Sequence, residues 1–209
     1  MSATLTPWGY SIESDADLPA LLTDAEFDAR TASKYDGDTR IAPGISAASM
    51  SIRNYCGWHL FPSMSCVFNA TFFDRRVTRA GSHVQIQLPA RFVSAVASVK
   101  IGDVSFEDFS VDPAGLLRVF GVDFAFIGLH TPIEVKYTAG VSESMAGAIK
   151  DVAAAQITHA VAQSYGVTSE ASGGVSITYN NSWAQGGQAG ALSDYAKEIL
   201  NAYRLQGVY

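Results

Sequence analysis

The chain has 209 residues, 48% of them hydrophobic and only 16% charged, with a formal net charge of −6. In that balance no basic patch or stripe of the kind that grips nucleic-acid phosphates dominates, which argues against a DNA-binding domain but not against a protein that DNA passes without being held. The length suits one sizeable core, or a core plus an inserted subdomain. A charged fraction below the roughly 25% of an average globular protein has two readings: either partners cover some apolar surface, or the core is large and the surface is rich in Ser, Thr and Gly.

Residues 1–19 are polar and weakly patterned, with Trp8 and Tyr10 as isolated aromatics and Asp15 and Asp17 adding negative charge. They read as an extended arm, either frayed or docked on a neighbouring subunit. Thr23-Asp24-Ala25-Glu26 is a capping-box signature, with Asp24 near the positive end of the helix dipole. It predicts a helix from about Asp24 to Tyr35, before the Asp36-Gly37-Asp38 turn. A second helix is expected from Pro43, a residue suited to the first helical position. Its inner face is Ile45, Ala48, Ser49, Ile52, Tyr55 and Cys56, and Gly57 terminates it. Trp58, Leu60 and Phe61 form an apolar cluster ended by Pro62.

From Ser65 the pattern becomes β. Val67, Phe68, Phe72 and Phe73 lead into a polar, basic connection from Asp74 to Ser82. Strands follow at 84–88, 93–101 and 104–106, with turns at Gly102-Asp103 and Asp112-Pro113-Ala114-Gly115. Ile133, Val135 and Tyr137 alternate with Glu134, Lys136 and Thr138, the clearest half-buried strand in the chain and the last of the β section. At Gly140 the period changes. Met145, Ile149, Val152, Ala153, Gln156, Ile157, Ala160 and Val161 share one face of a helix from about Ser142 to residue 165. After it come a short β-like run at Val175–Tyr179 and a Gly-, Asn- and Gln-rich loop over 180–190, expected to be flexible. A last helix spans Ala191–Ala202, with Leu192, Tyr195, Ala196, Ile199, Leu200 and Tyr203 inward. The tail is Arg204-Leu205-Gln206-Gly207-Val208-Tyr209.

Known hydrolytic and metal chemistries leave spacings that do not occur here. His59, His83, His130 and His159 are scattered, and Cys56 and Cys66 are too few for a four-cysteine site or a disulfide framework. They read as buried, reduced thiols of a cytosolic protein. No Gly-x-Ser-x-Gly elbow is present, and Ser172-Gly173-Gly174 lacks the lysine of a phosphate-binding loop. Asp103, Glu107, Asp108 and Asp112 fall around turns, where carboxylates are ordinary solvated residues rather than an acid–base pair. Neither a signal peptide nor a membrane span is expected. Arg75, Arg76 and Arg79, beside Phe72 and Phe73, are the one local basic group. They form either a solvated hairpin tip or a contact for phosphate or an acidic partner, and are candidates for a subunit or tail contact.

Five phrases in one order carry a family likeness. They are Ile52-Arg53-Asn54-Tyr55-Cys56-Gly57; the passage Leu88-Pro89-Ala90-Arg91-Phe92-Val93 on to Val99-Lys100-Ile101-Gly102; Asp112-Pro113-Ala114-Gly115-Leu116-Leu117-Arg118; Val135-Lys136-Tyr137-Thr138-Ala139-Gly140 just before the long helix; and Tyr203-Arg204-Leu205 with terminal Val208-Tyr209. From about Leu21 onwards the chain resembles the head–tail connector (adaptor) proteins of long-tailed bacteriophages. The β section and the 180–190 loop are larger than a minimal helical connector needs, and the arm before Leu21 is unmatched.

The expected fold is α+β: a small bundle of about four helices with an antiparallel β subdomain inserted between the second and third. The expected division is an arm at 1–20, a helical body with a C-terminal tail at 21–64 and 139–209, and the β subdomain at 65–138. The resemblance implies a structural virion protein of the neck, not an enzyme, with no cofactor and no metal. It would form a ring, commonly dodecameric, beneath the portal protein, extend the DNA channel and offer an attachment surface for the tail. The implied partners are the portal, neighbouring copies of the chain, a downstream neck or tail protein, and DNA passing without sequence-specific binding; no membrane is involved. Assembly would take place in the host cytoplasm. The portal-contact candidates are Tyr203, Arg204, Leu205, Val208 and Tyr209. The alternatives are another neck or tail-completion (stopper) protein, and a β-rich ligand-binding module using the aromatics around Trp58 or Trp183.

Overall fold

The computed structural model describes residues 4–13, 18–162, 169–172, 175–178 and 192–205. The fold is α+β, with antiparallel sheets between the second and third helices, as the change of periodicity predicts. The chain divides into two compact units. One comprises Met1–Pro19, Cys56–Ala146 and Tyr203–Tyr209, and the other Ala20–Tyr55 and Gly147–Ala202.

The first unit is built on two antiparallel sheets. Its strands in chain order are β1 (Thr4–Leu5), β2 (Ser11–Ile12), β3 (Met64–Thr71), β4 (Val77–Ala80), β5 (His83–Gln87), β6 (Val93–Ile101), β7 (Val104–Phe106), β8 (Phe109–Val111), β9 (Leu116–Phe120) and β10 (Pro132–Ala139). The six-stranded sheet runs β1-β2-β3-β10-β6-β7 and the four-stranded sheet β4-β5-β9-β8. The last strand of this unit is thus central in its sheet: β10 pairs with β3 from Pro132↔Thr71 to Ala139↔Met64, and with β6 on its other side. Its alternation is the cause. Ile133, Val135, Tyr137 and Ala139 are buried on one face while Glu134, Lys136 and Thr138 stay half-buried on the other. Lys136 on that second face meets Glu13 at 3.0 Å.

The basic stretch after Phe73 is not wholly a connection. Val77–Ala80 forms strand β4, with Val77 buried opposite Ile86. One apolar residue among polar neighbours gives too little alternation to be read as a strand. The N-terminal residues that are described are also paired: Ser11 and Ile12 lie against Val67 and Cys66, and Tyr10 and Ile12 are buried.

The second unit is helical: α1 (Asp24–Thr31), α2 (Ile41–Cys56, entering the first unit at its last residue), α3 (Gly147–Ala162) and α4 (Asp194–Asn201), with a hairpin of β11 (Ser169–Ser172) and β12 (Val175–Thr178). The capping box at Thr23 and Glu26 is formed. α1 ends before Tyr35, because Ala32 and Ser33 turn left-handed (φ 51° and 56°) and the Ala32 N–H closes on the Asp28 carbonyl. α2 begins two residues ahead of Pro43, which therefore sits in the first turn, where its missing N–H costs no helical bond.

α3 starts later than Ser142. Residues Glu143–Met145 form a 3-10 turn, the Ser142 hydroxyl engages Ser144 rather than capping, and Met145 is exposed, not inward. Ile149, Val152, Ala153, Ile157 and Val161 are buried as the helical spacing predicts. α4 is capped by Ser193 and buries Ala196 and Leu200, but Tyr195 is exposed. Tyr179 and the 180–190 loop lie outside the described residues.

α3 packs on the earlier helices of its own unit. A Cβ on Gly44 would lie 3.3 Å from Ile157 Cγ2, so α2 and α3 approach closely there. Lys150, buried on α3, donates to Glu26 Oε1 at 2.6 Å, and Arg30 meets Asp151 at 3.0 Å. Hydrogen bonding from Lys150, and next from the Thr23 backbone, holds the Glu26 carboxyl below its ordinary 4.5. Glu26→Gln removes the carboxylate facing the buried Lys150 ammonium and is expected to cost about 2 kcal/mol, less than for a fully buried pair because Glu26 is partly solvated. A folded-state value below the unfolded one stabilises above the unfolded value and is lost as pH falls through the folded one. Denaturant titrations are therefore expected to separate wild type from Glu26→Gln at neutral pH and to bring them together in acid.

Candidate docking site at the C-terminal segment

Where α2 ends, the chain makes a sharp change of direction. Gly57 has φ +79°, and a Cβ there would lie 3.8 Å from the Leu205 Cβ, so Leu205 lies directly against this turn. The Leu205 N–H donates to the Cys56 carbonyl at 2.9 Å. Trp58, fully buried, donates its indole N–H to the Tyr203 carbonyl at 2.8 Å. Arg91 Nη1 donates to the Arg204 carbonyl at 3.2 Å. Three consecutive residues of the terminal segment are thus each held through a main-chain atom, two of them by side-chain donors.

An aromatic ladder backs these bonds. Phe92 stacks on Trp58 (centroids 6.1 Å, 18°) and meets Tyr203 at 6.0 Å, and the Arg91 guanidinium lies 5.8 Å from the Phe92 ring centre. His59 closes the inner side. It contacts Trp58 edge-on, bonds Tyr10 Oη at 2.7 Å through Nδ1, and reaches the Ala139 carbonyl at 2.9 Å through Nε2. That carbonyl can only accept, so Nε2 carries a proton and donates to it. The Tyr10 hydroxyl accepts from the His59 N–H at 3.0 Å. Tyr10, an isolated aromatic in the sequence, is thereby part of the support for this corner.

Of the terminal residues singled out by sequence, Tyr203, Arg204 and Leu205 come together here, while Val208 and Tyr209 lie outside the described residues. Arg91 and Phe92, which anchor the segment, carried no site signal. They occupy an irregular stretch between β5 and β6, and nothing local announces a partner more than a hundred residues away.

The three arginines of the basic group have different surroundings. Arg79 lies between the Phe72 and Phe124 rings (5.0 and 5.2 Å) and donates to the Ile127 carbonyl at 2.9 Å. Arg76 lies 5.7 Å from the Phe68 ring centre and beside Gly9, and Arg75 is exposed. Of the turn carboxylates, Asp112 accepts from the Leu116 N–H at 3.1 Å, a turn-forming role.

Both cysteines are buried, and burial pushes each thiol up to about 12. Since the thiolate is the nucleophile, Cys56 and Cys66 are expected to resist a thiol-specific disulfide reagent at pH 8 in the native protein. Both should react on unfolding, as followed by absorbance.

The family model described as head completion protein matches residues 20–205. The chain belongs to that family. As a head completion protein it is a structural phage protein of the head–tail junction, which is the broader part of what the sequence resemblance implies. The match ends at Leu205, the residue bonded to the Cys56 carbonyl, and so takes in the whole anchored root of the tail. A search of curated proteins finds no match.

Proposed function

We propose that this head completion protein is the adaptor of the neck. It forms a closed ring beneath the portal protein, made by repeated heterologous contacts between copies of the chain, and carries no catalytic activity. Its ring extends the DNA channel and presents the surface on which the tail is completed, with assembly taking place in the host cytoplasm. The observation that carries this reading is the anchored terminal segment. Tyr203, Arg204 and Leu205 are held by Trp58, Arg91 and Cys56, which fixes the root of the C-terminal tail. Val208 and Tyr209 supply apolar groups for burial against a partner.

The charge pattern agrees. A net charge of −6 suits a channel wall that DNA slides past, since basic walls would bind each phosphate in turn. The exposed side of α2 is Ala42, Pro43, Ser46, Ala47, Met50 and Asn54, without a single ionised group. Such a face suits contact with a neighbouring copy, where charges would be desolvated.

The test is copurification of the full chain and of a chain ending at Leu205 with the portal. Loss of portal binding on removing the last four residues, with unchanged thermal stability, is the expected result. Undiminished binding would remove the assignment. Binding to a tail-side partner alone would favour a stopper.

A further inference from the structure

β3 is covered unevenly. β10 pairs along its whole length, but β2 reaches only Cys66 and Val67, with one more bond from the Glu13 N–H to the Ser65 carbonyl at 2.9 Å. That bond places the main-chain groups of Ser65 on the β2 side. In an antiparallel strand every second residue points its N–H and C=O the same way, so Val67, Asn69 and Thr71 do likewise. The Thr71 carbonyl is taken by the Asp74 N–H at 3.0 Å. The N–H and C=O of Asn69 and the N–H of Thr71 remain, on an edge that no strand covers among the described residues.

An open groove of about 480 Å³ lies along this stretch, lined by Asn69, Ala70, Thr71, Phe73 and Asp74. Phe73 is 61% exposed, too much for a large aromatic with a core role, and its ring rests on His130 at 4.8 Å. The Asp74 carboxylate already accepts the Arg76 N–H at 2.9 Å. Arg75, next to Asp74 in the chain, is exposed, and Arg79 lies against Phe72, so two guanidinium groups stand near this end of β3. This end, at Thr71↔Pro132, is opposite the Ala139↔Met64 end, which lies toward the terminal segment.

We infer that the uncovered half of β3 is an addition site for an extended segment of a different protein. That segment pairs its main chain with Asn69 and Thr71, lays an apolar side chain on Phe73 and carries acidic residues toward Arg75. The inference rests on the β3 edge alone and not on the portal reading.

Two synthetic nine-residue peptides of alternating valine and threonine test it, one flanked by aspartates and one by lysines. Binding is followed by fluorescence anisotropy and by the amide resonances of Asn69 and Thr71. The acidic probe is expected to bind saturably, to shift both amides and to exceed the basic probe. Asn69→Pro removes only an outward N–H, a position an edge strand tolerates, and should weaken binding about tenfold, the scale of one to two lost hydrogen bonds. Arg75→Glu should reverse the preference between probes and remains informative if Asn69→Pro unfolds. Equal binding of both probes, affinity unchanged by either substitution, or no shift at Asn69 and Thr71 would overturn the inference. So would self-association lost in Asn69→Pro without any probe binding.

Discussion

Gly140→Ala is expected to destabilise the protein by about 4 kcal/mol, a large part of the roughly 5–15 kcal/mol that holds a typical domain folded. Gly140 ends β10 at φ +143°, and its N–H bonds the Phe92 carbonyl at 3.3 Å. A Cβ there would meet Ser63 Cα and come to 2.8 Å from both the Pro62 carbonyl oxygen and the Ser63 nitrogen. All three are main-chain atoms, so no side chain can swing aside and the two strand ends must separate. The next residue would be displaced too, since the Val141 N–H bonds the Leu60 carbonyl at 2.7 Å. Gly121→Ala is the control. It also has positive φ, +70°, but nothing lies within 4 Å of its Cβ, so only the backbone term of about 1 kcal/mol applies. Chemical denaturation of the two variants checks the difference; equal midpoints would contradict the crowding argument.

Trp58→Ala has the next largest expected effect, about 3–5 kcal/mol for emptying a fully buried indole site. The informative comparison is Trp58→Phe. A phenyl ring keeps most of the packing on Phe92 and His59 but removes the donor to the Tyr203 carbonyl. That change should cost about 1 kcal/mol and act chiefly on the terminal segment. Hydrogen exchange at the Leu205 amide, which is bonded to Cys56, should quicken in Trp58→Phe while the amides of β10 stay protected. Equal acceleration throughout would mean that Trp58 holds the core and not the segment.

How much of this was legible follows from the range over which each signal acts. β10 and α3 could be read because alternation and helical spacing are local, and the capping box at Thr23 is local as well. The central place of β10 was not legible, because pairing with both β3 and β6 depends on strands far apart in the chain. β4 went unread with its single buried valine, and two-residue β1 and β2 are too short to show any period. Extending the helical spacing to or past a helix start places Met145 and Tyr195 inward. Each falls instead where the first turn, or the 3-10 turn before it, faces out. At the candidate site, the terminal residues were singled out by resemblance, whereas their anchors were not. Trp58 and Tyr203 are 145 positions apart, and only folding brings them within a hydrogen bond.

The mass of the complex formed with the portal tests the central claim most directly. An adaptor anchored by its terminal segment predicts one assembly of defined mass by native mass spectrometry, containing a full ring of this chain on each portal ring, and none with the chain ending at Leu205. A single copy per portal, or a ring that forms equally well without the last four residues, would contradict it.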